Sequence, residues 1–513
     1  MSLWIKTENY KLGLQDRMEA GEVDSELPVP SQVLSNGEFN PSPQNDTQRR
    51  VKAEILNEAA TLAKKNNVSR RVFLRSAAGF ALSFSVMNKH YGNVFGASLA
   101  EAADIERAEE RALALRDQFI FDDQLHFVYE GFSFEGLKGL RKYGMEKWVP
   151  AKYRDKTTEF EQLQFANFLK EVYFDSDTKI GILSGAPADN PDNWFLSNPE
   201  MKRAQDLMDE LCGSRRMWSQ AIINPSVPGW LEEMDRCIAV QKPIAWKGYT
   251  VGDPLTNSEF PYRLDDEKLM YPAYEKMMKS GIKTFCIHKG LLPNDYADSF
   301  KAWKHAMVDD VGKAAKDWPG INFVIFHSGL KPLNDYPQAH LDKFNKTGRI
   351  DWVSDLAEIP KAYGVKNVYA ELGSCFANCV ISHPQHAAGL LGTLIKGMGE
   401  DNVVWGTDSV WYGSPQWQIE AMRRMEIPEE MGEAFGFAPL GGDNSIVKQK
   451  IFGLNTARIH GIDPKNLAKH NVNLKDDKLQ VAKEAYLKDG AERSNAFYGF
   501  IDKKDVSFKR KAA

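Results

Sequence analysis

The stretch FIFDDQLHFV, residues 119–128, decides the fold because it shows the unit from which much of the chain is built. It is an apolar segment that ends in acid, amide and imidazole side chains, as a buried strand with a polar end does. The strand period of two turns the side chains of Gln124 and His126 to the same face, as two metal ligands on one strand would be. The stretch is therefore either a metal-binding strand with one ligand replaced or an ordinary strand with a polar end.

The same unit recurs along the chain: a short apolar segment ends in polar residues, and a helical stretch follows. The eight segments are FIFDDQLHF from Phe119, TKIGILSG from Thr178, RMWSQAIINP from Arg216, PIAWKGYT from Pro243, KTFCIHKG from Lys283, NFVIFHSG from Asn322, NVYAELGS from Asn367 and NVVWGTDS from Asn402. Eight such units over about 300 residues fit an α/β fold of the (β/α)8 TIM-barrel type, predicted here over residues 106–465. A doubly wound open sheet is the alternative, but no glycine-rich turn follows the first strand, which disfavours a nucleotide-binding form.

Polar side chains at the carboxyl ends of barrel strands face the mouth where the active sites of such barrels lie. Collected strand by strand, they are Gln124, His126, Ser184, Asn224, Lys247, His288, His327, Glu371 and Asp408. Histidines together with a carboxylate are the ligands of a catalytic divalent cation, which leaves one position open for water. A lone histidine after a strand is more often structural, but recurrence at equivalent positions of successive units favours a site.

The order of FDDQLHF, CIHKG, FVIFHSG and VVWGTDS resembles the amidohydrolase superfamily, in particular its amidohydrolase-2 group of metal-dependent TIM-barrel hydrolases and decarboxylases. The resemblance extends from Phe119 to Asp463. It implies that His126, His288 and Asp408 bind a divalent metal ion, with zinc as the expected ion. It further implies that His327 binds metal or polarises the substrate, and that Asp408 also handles the proton of the attacking water.

Gln124 departs from the family pattern, which has a histidine at this place. An amide offers a weak oxygen ligand and hydrogen bonds but no imidazole nitrogen. Three consequences are open: a metal held by His126, His288 and Asp408 with Gln124 coordinating weakly, a hydrolase whose site has shifted, or a barrel that has lost its metal. We rank them in this order and include Gln124 among the predicted metal ligands.

Lys247 and Glu371 complete the predicted catalytic set with His327 and Asp408. Some superfamily members carboxylate a strand-four lysine to bridge two metals, but a two-metal site would lack its first histidine here. The simpler interpretation is that Lys247 pairs with Glu371 or binds a substrate carboxylate, while Glu371 otherwise acts as a second acid or base. Loop aromatics favour a flat or aromatic-derived substrate; they are Trp194, Phe195, Trp411, Tyr412 and Trp417.

These residues predict a metal-dependent hydrolase that acts on an ester, lactone or amide carbonyl of a small acid. A metal-bound water oriented by Asp408 attacks the carbonyl, His327 polarises it and Lys247 holds an anionic group. The alternative is nonoxidative decarboxylation of an aromatic or unsaturated acid at the same metal, in which Asp408 protonates carbon. A third interpretation is a non-catalytic barrel scaffold, which Gln124 allows.

The flanks form three parts: a polar N-terminal arm (residues 1–68) with a helix from Gln48 to Lys65, a segment of residues 69–105, and a C-terminal extension of residues 466–513. In the second part, SRRVFLR and the apolar run after it resemble a twin-arginine export signal, which predicts a periplasmic protein. The alternative is a helix that Ser69 caps, packed on the barrel of a cytoplasmic protein. Further helices are predicted over Ser98–Gln118, Ile446–Asp463 and Asp476–Leu487.

The composition is that of an ordinary globular protein. Its 65 basic and 70 acidic residues give a formal charge of −5, which provides no general attraction to nucleic acid. No apolar run approaches the ~20 residues of a membrane span. The five cysteines are an odd count at irregular spacing, which predicts structural thiols and no disulfide framework. The aromatic-rich residues 495–513 predict an arm laid over this subunit or a neighbour, and we expect a homo-oligomer with a small-molecule substrate.

Overall fold

A computed structural model of the chain describes residues 27–34, 45–129, 163–187, 189, 194–252, 260–292, 297, 301–331, 337–491, 493 and 495. Apart from Asn495, the predicted C-terminal arm of residues 495–513 lies outside the described residues. Among the described helices, none combines the length and the apolar character that crossing a bilayer requires.

Eight parallel strands form one sheet in the order of the chain. They are β1 Phe121–Leu125, β2 Ile180–Leu183, β3 Met217–Ile222, β4 Ala245–Tyr249, β5 Thr284–His288, β6 Asn322–Phe326, β7 Val368–Glu371 and β8 Val403–Val404. Each of the eight predicted segments contains one of these strands. The predicted TIM barrel is therefore confirmed.

The chain that follows β8 closes the barrel onto β1. The backbone N–H of Asp123 donates to the carbonyl of Trp405 at 2.9 Å, and the N–H of Asp408 donates to the carbonyl of Gln124 at 3.0 Å. Leu125 and Ser409 also form a parallel bridge. Closure thus places Asp408 beside Gln124, although they are 284 residues apart in the sequence.

Helices surround the barrel and form its N-terminal flank. The α-helices are α1 Asp46–Lys65, α2 Arg70–Leu74, α3 Ala77–Tyr91, α4 Leu99–Ala102, α5 Ile105–Leu115, α6 Phe165–Leu169, α7 Asn198–Cys212, α8 Trp230–Arg236, α9 Tyr271–Ser280, α10 Val311–Asp317, α11 Pro337–Thr347, α12 Val353–Tyr363, α13 Cys375–Ser382, α14 Pro384–Met398, α15 Gln416–Arg424, α16 Glu429–Phe435, α17 Ile446–Gln449, α18 Asn455–Ile459 and α19 Lys478–Lys488. Shorter 3-10 and π-helical turns are Lys170–Phe174, Cys237–Gln241, Trp303–Ala306, His327–Gly329, Glu400–Asn402, Lys450–Leu454 and Leu467–His470.

The predicted flanking helices are present, with one correction. Helix α1 begins where the Asn45 side chain accepts from the N–H of Gln48 in a capping box. The prediction of one helix over Ser98–Gln118 is wrong, because α4 and α5 are separate helices there. The Asp104 side chain accepts from the N–H of Arg107 and so begins α5 as its N-cap.

The twin-arginine-like segment folds as the helices α2 and α3. The Ser69 side chain caps α2 by accepting from the N–H of Val72, as the alternative interpretation expects. Phe73 and Phe84 are fully buried, and the Phe84 ring lies 4.6 Å from the Phe95 ring between centroids. The apolar run is thus part of the hydrophobic core, while export remains a prediction.

The five cysteines are buried free thiols. Burial raises the pKa of each thiol, because an apolar environment disfavours the thiolate. They are Cys212, Cys237, Cys286, Cys375 and Cys379. Their environment agrees with the predicted structural role.

Candidate active site

The nine polar residues predicted at the barrel mouth are all buried, and all lie in the strands or directly after them. Hydrogen bonds join Gln124 and Asp408 in one cluster with His126, and His288 with His327 in a second. The Asn224 Oδ1 accepts from the N–H and the hydroxyl of Ser226 in the turn after β3. The sequence therefore predicts most of the residues that meet here.

The first cluster consists of three polar atoms at nearly equal distances. Gln124 Nε2 lies 2.9 Å from Asp408 Oδ1 and 3.1 Å from His126 Nε2. His126 Nε2 lies 3.0 Å from Asp408 Oδ1. The three terminal atoms thus form a triangle with sides of 2.9 to 3.1 Å.

The hydrogen bond of the second ring nitrogen of His126 shows which of the two nitrogens carries the proton in a neutral ring. His126 Nδ1 lies 2.6 Å from the carbonyl oxygen of Ser184, which can only accept, so Nδ1 carries a proton and donates it. In a neutral ring, Nε2 then presents a lone pair to the carboxylate of Asp408. Two acceptors at 3.0 Å repel each other unless a proton or a cation lies between them. Histidines that bind metals commonly donate their second N–H to a carbonyl in this way.

The cluster fits a divalent metal ion through its donor chemistry. Adjacent ligands of an octahedral ion with bonds of about 2.1 Å are about 3.0 Å apart, as the three terminal atoms are. Gln124 Oε1 has no hydrogen-bond partner among the described atoms, and the amide offers this oxygen when it rotates by half a turn. Within the described part of the chain, no group of three or more His, Cys, Asp or Glu side chains is arranged to hold a metal. The third side chain of the triangle is the amide of Gln124, and glutamine is not one of these four residue types.

His288 and His327 form the second cluster. His327 Nε2 lies 3.0 Å from His288 Nδ1, His327 Nδ1 lies 2.8 Å from the carbonyl of Gly373, and His288 Nε2 lies 3.2 Å from the carbonyl of Gly290. Burial lowers the pKa of His327 to about 4 and also lowers the pKa of His288, and the positive charge of Lys247 contributes to both shifts. The two neutral rings donate one proton each to the carbonyls of Gly373 and Gly290, so lone pairs of His327 Nε2 and His288 Nδ1 face each other. Such an arrangement suits a metal cation.

Glu371 accepts hydrogen bonds from two backbone N–H groups of this site. Its Oε2 accepts from the N–H of His327 at 3.0 Å, and its Oε1 accepts from the N–H of Gly373 at 2.5 Å. A Cβ on Gly373 or Gly406 would overlap Oε1, so glycine is required at both places. Burial raises the pKa of Glu371 well above its usual range. With both oxygens bonded to the backbone, Glu371 positions His327.

Lys247 lies in the barrel interior among aromatic rings. Its Nζ is 3.8 Å from the ring centroid of Phe326 and 5.7 Å from that of Tyr249. The Tyr249 ring in turn stacks on His288 at 3.9 Å. Lys247 therefore supplies a buried positive charge close to the histidine pair.

Three residues at the ends of β6, β7 and β8 have left-handed backbone. The φ angles are 61° at His327, 54° at Ser374 and 58° at Asp408. Residues other than glycine rarely adopt such angles, and the strain of about 1–3 kcal/mol each tends to occur at functional sites. The same three residues carry side chains of the two clusters or bind to them.

Burial of Asp408 opposes its ionisation, but several polar neighbours favour the carboxylate. In acid, protonated His126 donates to Asp408, and its charge, the charge of protonated His327 and the hydroxyl of Ser374 help to lower the pKa of Asp408 to about 2. Asp408 is therefore an ionised base at neutral pH.

Comparison with known proteins identifies the family of this barrel. The sequence model of the family described as amidohydrolase matches residues 203–462, which is half of the chain. This chain belongs to the amidohydrolase family. The matched range contains His288, His327 and Asp408, whereas β1 with Gln124 and His126 precedes it. No curated protein matches the sequence.

Solved structures similar to this amidohydrolase share little sequence with it. An uncharacterised TIM-barrel protein of Bordetella bronchiseptica is 14% identical, with a TM-score of 0.41, over 67% of this chain and 98% of its own. The 5-carboxyvanillate decarboxylase of Sphingomonas paucimobilis is 16% identical, with a TM-score of 0.39, over 68% and 100%. The dihydroxybenzoic acid decarboxylase of Polaromonas sp. JS666, solved with manganese and 2-nitroresorcinol, is 15% identical, with a TM-score of 0.40, over 68% and 99%. The family assignment rests on the sequence match and not on these structures.

The sequence analysis did not predict that Ser374 and Tyr412 bind to Asp408 in the amidohydrolase site. The Ser374 hydroxyl donates to Asp408 Oδ2, and its oxygen lies 2.6 Å from the hydroxyl oxygen of Tyr412. Ser374 follows the sequence ELG of residues 371–373 and stands where an ordinary serine begins a helix, and Tyr412 was predicted only as a loop aromatic. The sequence carries no signal that these two side chains meet Asp408.

Aromatic rings also adjoin the metal-ligand candidates of this amidohydrolase, as predicted for Trp411 and Phe195. The Trp411 ring stacks on His126 at 5.7 Å, and the Phe195 ring meets His126 edge-on at the same distance. Trp417 instead lies in α15 and is buried in the core. Trp194 packs beside the cluster of apolar residues around β2.

Proposed function

We propose that this amidohydrolase removes carbon dioxide from a small aromatic or unsaturated acid at a divalent metal ion. Gln124, His126 and Asp408 would hold the ion, with His288 as the further ligand that the sequence predicts. Two oxygen donors beside imidazole suit Mn2+ as well as the Zn2+ expected from the sequence. When bound, such an ion supplies positive charge that polarises substrate oxygens.

The observation that carries this proposal is the placement of flat rings against both histidine clusters. Trp411 stacks on His126, and Tyr249 stacks on His288. Rings in these orientations favour a planar substrate, because flat π-surfaces pack face to face or edge to face. An environment of buried aromatic rings also favours loss of carbon dioxide, because it solvates the substrate carboxylate poorly. The negative charge of the carboxylate spreads over the ring as the bond breaks.

The chain's own residues have defined roles in this reaction. Lys247 supplies positive charge for the substrate carboxylate, and His327 interacts with a second oxygen of the substrate. Asp408 takes one proton from solvent water and delivers it to the ring carbon that bears the carboxylate, and the bond between that carbon and the carboxylate carbon then breaks. The substrate carboxylate and one proton thus give carbon dioxide and the ring with hydrogen in place of the carboxylate, so atoms and charge balance.

Hydrolysis of an ester, lactone or amide is the second candidate. Asp408 is ionised at neutral pH and can therefore accept a hydrogen bond from an attacking water and orient it. The sequence prediction ranks hydrolysis first, whereas we rank decarboxylation first because the stacked rings support a planar substrate.

Product analysis separates the two reactions. The purified chain, supplied with Mn2+, is incubated in heavy water with hydroxybenzoic acids and, separately, with aromatic lactones. We expect carbon dioxide and one deuterium on the ring carbon, and a loss of about 100-fold or more in rate in Asp408→Asn. New carboxylate groups without carbon dioxide would establish hydrolysis instead. Bound metal without either product would contradict both and support the scaffold interpretation.

A further inference from the structure

We propose that Ser374 and Tyr412 form a hydrogen-bond relay that positions Asp408 and leaves only its Oδ1 directed at the metal-ligand triangle. The inference deepens the proposed function and rests on it, because Asp408 is the residue that binds the ion and moves the proton there. Neither residue was predicted from the sequence to act at the site. Both are positioning residues, since they act through Asp408.

The direction of the relay follows from the donors available. The Ser374 hydroxyl is the donor of the hydrogen bond to Asp408 Oδ2, and this bond uses its single proton. The Tyr412 hydroxyl oxygen lies 2.6 Å from that of Ser374 and must then be the donor of the second bond. The relay therefore runs from Tyr412 through Ser374 to Asp408, and all three side chains are buried.

The Ser374 side chain bonds to Asp408 and does not cap the helix that follows it. It is the N-cap residue of α13, where a serine side chain usually accepts a backbone N–H of the first turn. Its side chain makes no such bond, and its backbone is left-handed. The missing cap and the strained backbone thus accompany the contact with Asp408.

In this relay, the two carboxylate oxygens of Asp408 have different partners. Oδ2 is bonded to Ser374, while Oδ1 faces Gln124 at 2.9 Å and His126 at 3.0 Å. A carboxylate fixed by one oxygen cannot rotate to present both oxygens to an ion. Contacts of this kind orient metal ligands and contribute about 10–100-fold to metal affinity.

The test compares Mn2+ binding with folding stability in four variants: Ser374→Gly, Tyr412→Phe, the double variant, and Ser409→Ala. Glycine is suited to the left-handed backbone at residue 374, so Ser374→Gly removes the hydroxyl without adding strain. Ser409→Ala is the matched control, because the buried Ser409 hydroxyl adjoins Asp408 and has no hydrogen-bond partner among the described atoms. Mn2+ affinity is measured by calorimetry and stability by thermal unfolding of the metal-free chain.

We expect Ser374→Gly to weaken Mn2+ binding by about 10–100-fold without lowering the unfolding temperature, because glycine relieves the backbone strain at this position. Tyr412→Phe should weaken it less, and the double variant should match Ser374→Gly, because Tyr412 acts through Ser374. Ser409→Ala should bind like the wild type. Equal affinities in Ser374→Gly and Ser409→Ala would overturn the relay and leave the proposed function standing. A wild-type chain that takes up no Mn2+ would overturn the proposed function and the relay together.

Discussion

At the scale of the residue, Gln124 distinguishes this site from a barrel with two histidines on its first strand. Its amide is held 2.9 Å from Asp408 and 3.1 Å from His126, so it occupies the place of a ligand and retains the geometry of one. An amide oxygen binds a divalent ion more weakly than an imidazole nitrogen does. The site is therefore expected to hold its metal loosely rather than to have lost it.

Replacement of Gln124 tests this interpretation. Gln124→His should tighten zinc binding by about tenfold or more, because an imidazole nitrogen suits zinc better than an amide oxygen. Gln124→Leu, which has a similar volume and no donor, should weaken binding. Competition with a chelating dye measures both. Wild-type affinity in Gln124→Leu would show that the amide is not a ligand.

Glu371 gives a second prediction at this scale. Glu371→Gln leaves one acceptor and turns an amide N–H2 toward a backbone N–H of His327 or Gly373, which leaves a buried donor without a partner. We expect a loss of about 1–3 kcal/mol in the free energy of unfolding, measured by urea titration. Glu358→Gln, at an exposed carboxylate, serves as the control. Equal stability of the two variants would contradict the positioning role of Glu371.

The residues that sequence analysis finds and misses differ in a physical way. His288 and Asp408 follow strands in a repeated pattern, so the position of each in its own unit is sufficient to predict it. Ser374 and Tyr412 matter through one contact with Asp408 across the closed barrel, and a serine before a helix has an ordinary structural explanation. Contacts that depend on closure cannot be read from a single unit.

At the scale of the element, the strands are predicted well because each is a short apolar run with its own boundaries. Helix boundaries are predicted less well, since a single cap decides them. The strong helix formers and the amphipathic spacing of residues 98–118 predict one helix, but the Asp104 side chain begins a new one. Local side-chain competition for backbone N–H groups therefore limits this part of the prediction.

Helix α3 tests whether the twin-arginine-like segment is a lasting part of the fold. Phe84 is fully buried and packs against Phe95. Phe84→Ala should reduce the free energy of unfolding of the purified full chain by about 3–5 kcal/mol. Val72→Ala, at a side chain that is 55% exposed in α2, should change it little. Equal stability of both variants would mean that α3 does not contribute to the folded protein.

At the scale of the whole molecule, two ion pairs join the N-terminal helices to the barrel. Arg111 of α5 forms a half-buried pair with Asp443 at 2.7 Å, and Arg424 of α15 forms a buried pair with Glu101 of α4 at 2.7 Å. Breaking the buried pair leaves a buried charge without compensation, so the two parts are expected to unfold together.

The free energy of unfolding of the whole molecule is expected to decrease in acid. Burial lowers the pKa of His383 to about 4 and that of His386 to about 3, below the usual value near 6.5. The unfolded chain therefore takes up protons at these residues before the folded chain does, and the free energy of unfolding should fall as pH drops from about 6.5 toward 4. His386→Leu should make this fall shallower in urea titrations at several pH values. An unchanged slope would contradict the assignment of the two histidines.

The central claim is that Gln124, His126 and Asp408 hold one divalent metal ion, and elemental analysis tests it most directly. Purified wild-type protein is measured beside His126→Ala and the Ser409→Ala control after exposure to Zn2+ and Mn2+ and removal of excess metal. We predict about one equivalent in the wild type and in Ser409→Ala and a large loss in His126→Ala. Absence of metal from all three folded proteins, or full retention in His126→Ala, would contradict the claim.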